Sequence, residues 1–234
     1  MARVKVVMWK ELRELAGSKS AIVMGALFAL AFGSMYSLRL NSLPGISLES
    51  SIGSLLFFLT TVLGVFLGYT YTGQVFLREK MDAVIETLLC SPITLRDIWI
   101  GKTLAITALA HAFALVGGVL CALVVSFRSG SVGVPGGAVI VYAVAVLPAL
   151  IACFVGALGC SQFLLGMKEN RIVSLVVFAP LFAILYGVGY GTMGSFVVTW
   201  LQVALLAAGV VVVLMGLSYA VGRIRIERIV TTLS

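Results

Sequence analysis

Charge is what this sequence has least of. Only 11% of its 234 residues are Asp, Glu, Lys or Arg, where soluble domains carry about 25%. With 61% hydrophobic residues and a mean hydropathy of +1.16, the chain is excluded from the soluble globular class. Cysteine is scarce too. Cys90, Cys121, Cys153 and Cys160 form no CxxC pair and three of them fall in apolar runs, which argues against a disulfide framework or a metal site and for small buried hydrophobes. The nine carboxylates all lie outside the long apolar runs. That leaves no paired carboxylates for acid–base chemistry and no intramembrane acid of the kind that ion-coupled carriers use. A nucleotide loop is missing as well: Gly101-Lys102-Thr103 invites that reading, but the glycine required five positions earlier is replaced by Arg96.

What is present is apolar sequence in long runs. A span needs roughly 20 such residues, and runs at 20–38, 52–76, 98–127, 138–165, 172–188 and 196–221 predict six. The expected fold is all-α, one transmembrane domain over 1–234, with 1–19 before the first span and 222–234 as a tail. No small-residue cleavage site follows the first run, so it reads as an uncleaved span.

Basic residues fix the expected orientation. Arg3, Lys5, Lys10, Arg13, Lys19, Arg78, Lys80, Arg96, Lys102, Lys168, Arg171, Arg223, Arg225 and Arg228 fall on one side, and only Arg39 and Arg128 on the other. By the positive-inside rule both termini are cytoplasmic. The net charge of +7 then follows from topology and from attraction to anionic headgroups, and nucleic acid is not needed as a partner. Before the first span, Val4, Met8, Leu12 and Leu15 recur at helical spacing beside Trp9, with Lys5, Arg13 and Glu14 off that row. An amphipathic interfacial helix is expected, with Trp9, Leu12 and Arg13 at the headgroup level and a turn into the bilayer near Gly17 and Ser18.

Within the spans, every Asp, Glu, Lys and Arg can be placed outside the hydrocarbon, which leaves His111 as the one ionisable residue at depth besides Cys and Tyr. An interhelical hydrogen bond is its expected role. Pro148 and Pro180 each remove a backbone donor and predict kinks that could shape a pathway. Gly64 and Gly68, and Gly187 and Gly191, have the spacing that lets helices approach closely, although 25 glycines make chance matches common. The outer connections are short and turn-rich.

One charged stretch interrupts this pattern, 77–102, LREKMDAVIETLLCSPITLRDIWIGK. Residues 79–89 read as a short amphipathic helix, with Val84, Ile85, Leu88 and Leu89 on one side and Lys80, Asp82 and Glu86 on others. Ser91-Pro92 ends it. Thr94 with Asp97 has capping character and starts the next helix, placing Trp99 at the membrane interface. Exposed apolar residues on such a helix suit docking into a partner's groove.

These residues carry a resemblance. Arg78-Glu79-Lys80, Glu86-Thr87-Leu88-Leu89, Ser91-Pro92-Ile93 and Gly101-Lys102, together with Trp9-Lys10-Glu11-Leu12-Arg13 near the start, resemble the membrane subunits of ABC exporters of the ABC type-2 permease class. The resemblance covers the whole chain. It implies that the segment between spans two and three is a coupling helix seated in a separate nucleotide-binding subunit, with Glu79, Asp82, Glu86, Leu88, Ser91 and Pro92 at the docking surface. Gly166 to Arg171, including Lys168, would form a smaller second contact. It further implies two permease copies lining one path, two ABC ATPase subunits that bind the ATP and Mg, no cofactor on this chain, and a prokaryotic cell membrane. The very short connection between spans five and six departs from the family, whose members often carry longer outer helices there, and implies a minimal outer gate. The lack of intramembrane charge suits a lipid-like, peptide or amphipathic drug-like cargo.

Three other readings stand beside this one. A heme-exporter-like permease is a variant within the same broad class, with His111 as its sole support. The membrane substrate-binding module of an energy-coupling importer also has about six spans, but would rely on a polar pocket and not on a charged docking helix. An intramembrane enzyme needs metal ligands, paired carboxylates or an activated nucleophile, and no such cluster is visible.

Overall fold

A chain crossing lipid must satisfy its backbone polar groups internally, and a single apolar run can do so only as a helix. The computed structural model describes residues 2–41, 48–77, 94–129, 134–164 and 197–222, with individual positions between 172 and 187. Among them every regular element is helical. Helix α1 covers Ala2–Gly17, α2 Lys19–Asn41 and α3 Leu48–Thr72, the last continuing into a π-helical turn at Gly73–Leu77. Helix α4 covers Leu95–Ser129. Helix α5 is built from Gly137–Val141, a π turn at Tyr142–Val146, and Leu147–Leu164. Helix α6 covers Trp200–Gly222.

Five of these, α2 to α6, are long and apolar enough to cross a membrane. The expected fifth span, 172–188, is described at separate positions, Pro180 among them, and each of these is helical. Two of its rings are placed: Phe178 stacks on Tyr69 at 3.9 Å, and Phe182 meets Phe32 and Phe66 edge-on or tilted at 5.7 and 5.3 Å. The expected docking helix at 79–89, the Ser91-Pro92 stop, the second contact at Gly166 to Arg171 and the tail from Arg223 lie outside the described residues.

Local chemistry sets the helix starts. Ser18 breaks the chain between α1 and α2, as the Gly17-Ser18 pair suggested, and its hydroxyl accepts from the Ala21 amide at 3.5 Å. Helix α6 opens on a reciprocal cap. The Thr199 hydroxyl accepts from the Gln202 amide at 3.5 Å, while the Gln202 side chain accepts from the Thr199 amide at 3.0 Å.

Helix α3 is the centre of the bundle, packed against α2, α4 and α5 and the most buried of the spans, while α6 is the least. Small residues make this packing close. Cβ atoms added at Gly64 and Gly68 would lie 2.6 Å from Ile151 Cδ1 and 3.0 Å from Val155 Cγ2 of α5, so the first of the two glycine pairs is a helix contact. At Gly187 an added Cβ meets nothing within 4 Å. Hydroxyls tie the helices further: Tyr71 donates to the Ala21 carbonyl at 3.0 Å, and the Thr61 and Tyr142 hydroxyls pair at 2.5 Å. Thr60 and Thr72 return their protons to carbonyls one turn back, the low-cost solution for a hydroxyl in an apolar helix.

Pro148 acts through the π turn before it. Lacking an N–H, it cannot bond Val144, and its ring crowds that carbonyl. The chain widens instead, and the Leu147 amide bonds the Tyr142 carbonyl five residues back. Of the cysteines, Cys121 is buried and donates to the Gly33 carbonyl at 3.2 Å, whereas Cys153 and Cys160 are only partly buried.

The α4–α5 contact gives a direct stability test. A Cβ at Gly156 would lie 2.8 Å from the Trp99 ring, which is rigid and cannot step aside. Gly156→Ala should therefore destabilise the purified chain by about 1–3 kcal/mol. Gly209→Ala, with nothing within 4 Å, should be neutral or slightly stabilising in the same thermal melt. Equal melting temperatures for the two variants would contradict this packing.

Candidate functional site

Helix α1 is amphipathic, but its inward face is not purely apolar. Val7, Glu11 and Leu15 are buried, Val4, Met8 and Leu12 half-buried, and Lys5, Val6, Trp9, Lys10, Arg13 and Glu14 exposed. The row that points in is thus centred on 7–11–15, with a carboxylate in its middle. Helix α4 receives this face at a glycine. A Cβ at Gly101 would sit 2.8 Å from the Val7 Cβ and 3.2 Å from the Met8 amide nitrogen, so the two backbones pack almost directly.

The start of α4 is fixed in three directions within three turns. Thr94 caps it, its hydroxyl accepting from the Asp97 amide at 3.2 Å. Trp99 donates from Nε1 to the Gly156 carbonyl at 3.1 Å and is 3% exposed. The ring lies between α4 and α5, because the missing side chain at Gly156 makes room for it and the Gly156 carbonyl satisfies its one polar atom. Lys102 is 1% exposed and donates to Glu11 Oε1 at 2.8 Å. Phe76, on the π turn that ends α3, lies beneath the ammonium at 5.8 Å and fills the space over Gly159 of α5. Helices α1, α3, α4 and α5 therefore meet around one buried ion pair.

Lys102 stands near the start of its span, as the run 98–127 predicts, in a helix that begins at Leu95, and it is shielded by α1. The Gly101-Lys102-Thr103 triplet is helical throughout, its glycine a packing surface and its lysine held by Glu11. At 2.8 Å the attraction is roughly 6 kcal/mol for an effective dielectric near 20, set against several kcal/mol of desolvation for each ion. The two nearly cancel. What the pair confers is geometry, because only one placement of α1 on α4 satisfies both charges.

The other anticipated residues are distributed as follows. Trp9 and Arg13 lie on the exposed face of α1 and Leu12 at its edge. His111 is half-buried on α4, and its Nδ1 is enclosed without a hydrogen-bond partner among the described residues, so the expected interhelical bond is not made at that atom. Pro148 is partly buried in α5 and Pro180 exposed. The Glu11–Lys102 pair escaped the sequence reading, although a signal existed. Glu11 stands four residues from both Val7 and Leu15, and Lys102 four from Ile98 and from Ile106, so each charge occupies the apolar face of its own helix.

Removing Glu11 takes from Lys102 its carboxylate, and removing Lys102 leaves Glu11 only the longer contact to Lys10 at 3.6 Å. Glu11→Leu or Lys102→Met alone should cost about 3–5 kcal/mol, while the double variant, which removes both charges, should recover much of that loss. Thermal unfolding of the four chains in lipid nanodiscs checks this. A double variant as unstable as the sum of the singles would contradict the pairing.

A model of the ABC-2 family transporter proteins matches residues 5–199, a stretch that takes in α1 to α5 and the charged segment between α3 and α4. No curated protein and no solved structure matches the chain. Membrane chains of this family normally work with an ABC ATPase. A match over most of the sequence, joined to five helices able to cross a membrane, establishes that the chain belongs to the ABC-2 transporter family and is a multi-pass membrane permease.

Proposed function

We propose that this chain is the permease subunit of an ATP-driven ABC exporter, in which two permease copies form the translocation path and ATP with Mg is bound and hydrolysed on two separate nucleotide-binding subunits. Both termini and α1 face the cytoplasm, on the side where the basic residues gather. The segment 78–93, through Glu79, Asp82, Glu86, Leu88, Ser91 and Pro92, docks into the ATPase, and Gly166, Lys168 and Arg171 add a second contact.

The observation that carries this reading is the buried Lys102–Glu11 pair at the start of α4. Segment 78–93 enters α4 at the Thr94 cap, and within eight residues of that cap the helix is bonded to α5 through Trp99 and to α1 through Lys102. Movement that reaches the Thr94 cap is passed on through these two bonds. It is delivered to α1, α4 and α5 together, which is what converts closure of a cytoplasmic ATPase into movement of the membrane path.

Affinity capture of the solubilised chain from its native membranes, followed by mass spectrometry and an ATPase assay, tests this. The wild-type chain should retain an ABC ATPase and its activity, while the purified chain alone should show none. Glu86→Arg or Leu88→Arg should lose the ATPase at least tenfold without loss of membrane insertion. Turnover by the isolated chain, or undiminished ATPase recovery with both variants, would overturn the proposal.

A further inference from the structure

The outward face of α1 has a pattern of its own. Lys5, Trp9 and Arg13 stand at i, i+4 and i+8 and are all exposed, so they form one straight row with an indole between two cations. Val6 and Trp9 are 67% and 64% exposed, too much apolar surface for a helix in water and well suited to a lipid boundary. Lys10, beside the row, is taken up by Glu11 and Glu14, each at 3.6 Å. Lys5 and Arg13 have no carboxylate at ion-pair distance among the described residues. Among the described residues, the row together with Val6, Lys10 and Glu14 lines an open cavity of about 780 Å³ on this face.

We propose that this row is a binding site for anionic phospholipid headgroups, which makes the seating of α1 dependent on lipid charge. The inference rests on the orientation proposed above, which puts α1 at the cytoplasmic surface. Arg13 holds a headgroup phosphate through its planar fork, which suits a tetrahedral oxyanion. Lys5 supplies a second positive charge two turns away, and Trp9 lies between them with its ring at the boundary of headgroup and acyl chain. Charge complementarity selects the occupant: two unneutralised cations flanking an exposed aromatic fit an anionic headgroup over apolar chains better than a zwitterionic one. The opposite face of the same helix carries Glu11, so lipid on the outside and Lys102 on the inside clamp α1 between them.

Binding of fluorescent phosphatidylglycerol and phosphatidylcholine to the full detergent-solubilised chain tests the site. Wild type should prefer phosphatidylglycerol about tenfold or more, with the preference falling as salt rises. Lys5→Gln/Arg13→Gln, two exposed positions that leave the fold intact, should abolish most of that preference. Lys19→Gln, an exposed cation off the row, should leave it nearly unchanged. Equal binding of the two lipids, a preference that survives in the double variant, or an equal loss in Lys19→Gln would each overturn the site. Loss of ATPase capture by Lys5→Gln/Arg13→Gln with lipid preference retained would assign the face to a protein partner instead. The lipid measurement needs no ATPase, so failure of the exporter reading would show separately.

Discussion

Burying the Lys102 ammonium is the constraint around which this end of the molecule is organised. A charge 1% exposed inside an apolar bundle demands a partner at bonding distance, and Glu11 meets that demand only if α1 lies across α4 in one position. The glycine one residue earlier lets Val7 come close enough for the carboxylate to reach. Phe76 completes the enclosure, which ties the π turn at the end of α3 to the same point. A short amphipathic helix, marginal alone in water, thus becomes a fixed part of the bundle.

The rest of the packing follows a membrane logic. Apolar side chains gain little from leaving lipid for one another, so close approach at small residues and a few internal hydrogen bonds hold the helices together. Gly64 and Gly68 seat α3 on α5, Gly117 and Gly118 seat α4 on α3, and Gly156 accepts Trp99. The two π turns fall at the end of α3 and just before Pro148 in α5. At the second a regular helix would lose a bond, and the two turns pack against α5 and α3 respectively.

Much of this architecture was legible because hydropathy reports directly on which runs can cross lipid. The spans of α2 to α6, the break at Gly17 and Ser18, the Thr94 cap and the close contact at Gly64 and Gly68 all follow from local rules. The partners of Lys102 and Trp99 do not, for a common reason. Counting basic residues and interfacial aromatics treats each by type, while its contact depends on what another helix offers: Glu11 of α1 in one case, the bare backbone of Gly156 in the other. The inward row of α1 was read one step off because an apolar criterion passes over a buried carboxylate. The docking residues from Glu79 to Pro92 rest on the sequence alone.

In the proposed exporter, α1 and α4 move as one piece when the ATPase closes. Spin labels at the exposed positions Ala16 and Leu104 would measure the α1–α4 distance in the assembled transporter, with Leu104 and Leu205 of α6 reporting whether the bundle has rearranged. Adding nucleotide should alter the Leu104–Leu205 distance and leave the Ala16–Leu104 distance unchanged. A change in the Ala16–Leu104 distance would mean that the Lys102–Glu11 contact gives way during the cycle, and the two helices could not be a single transmitting unit.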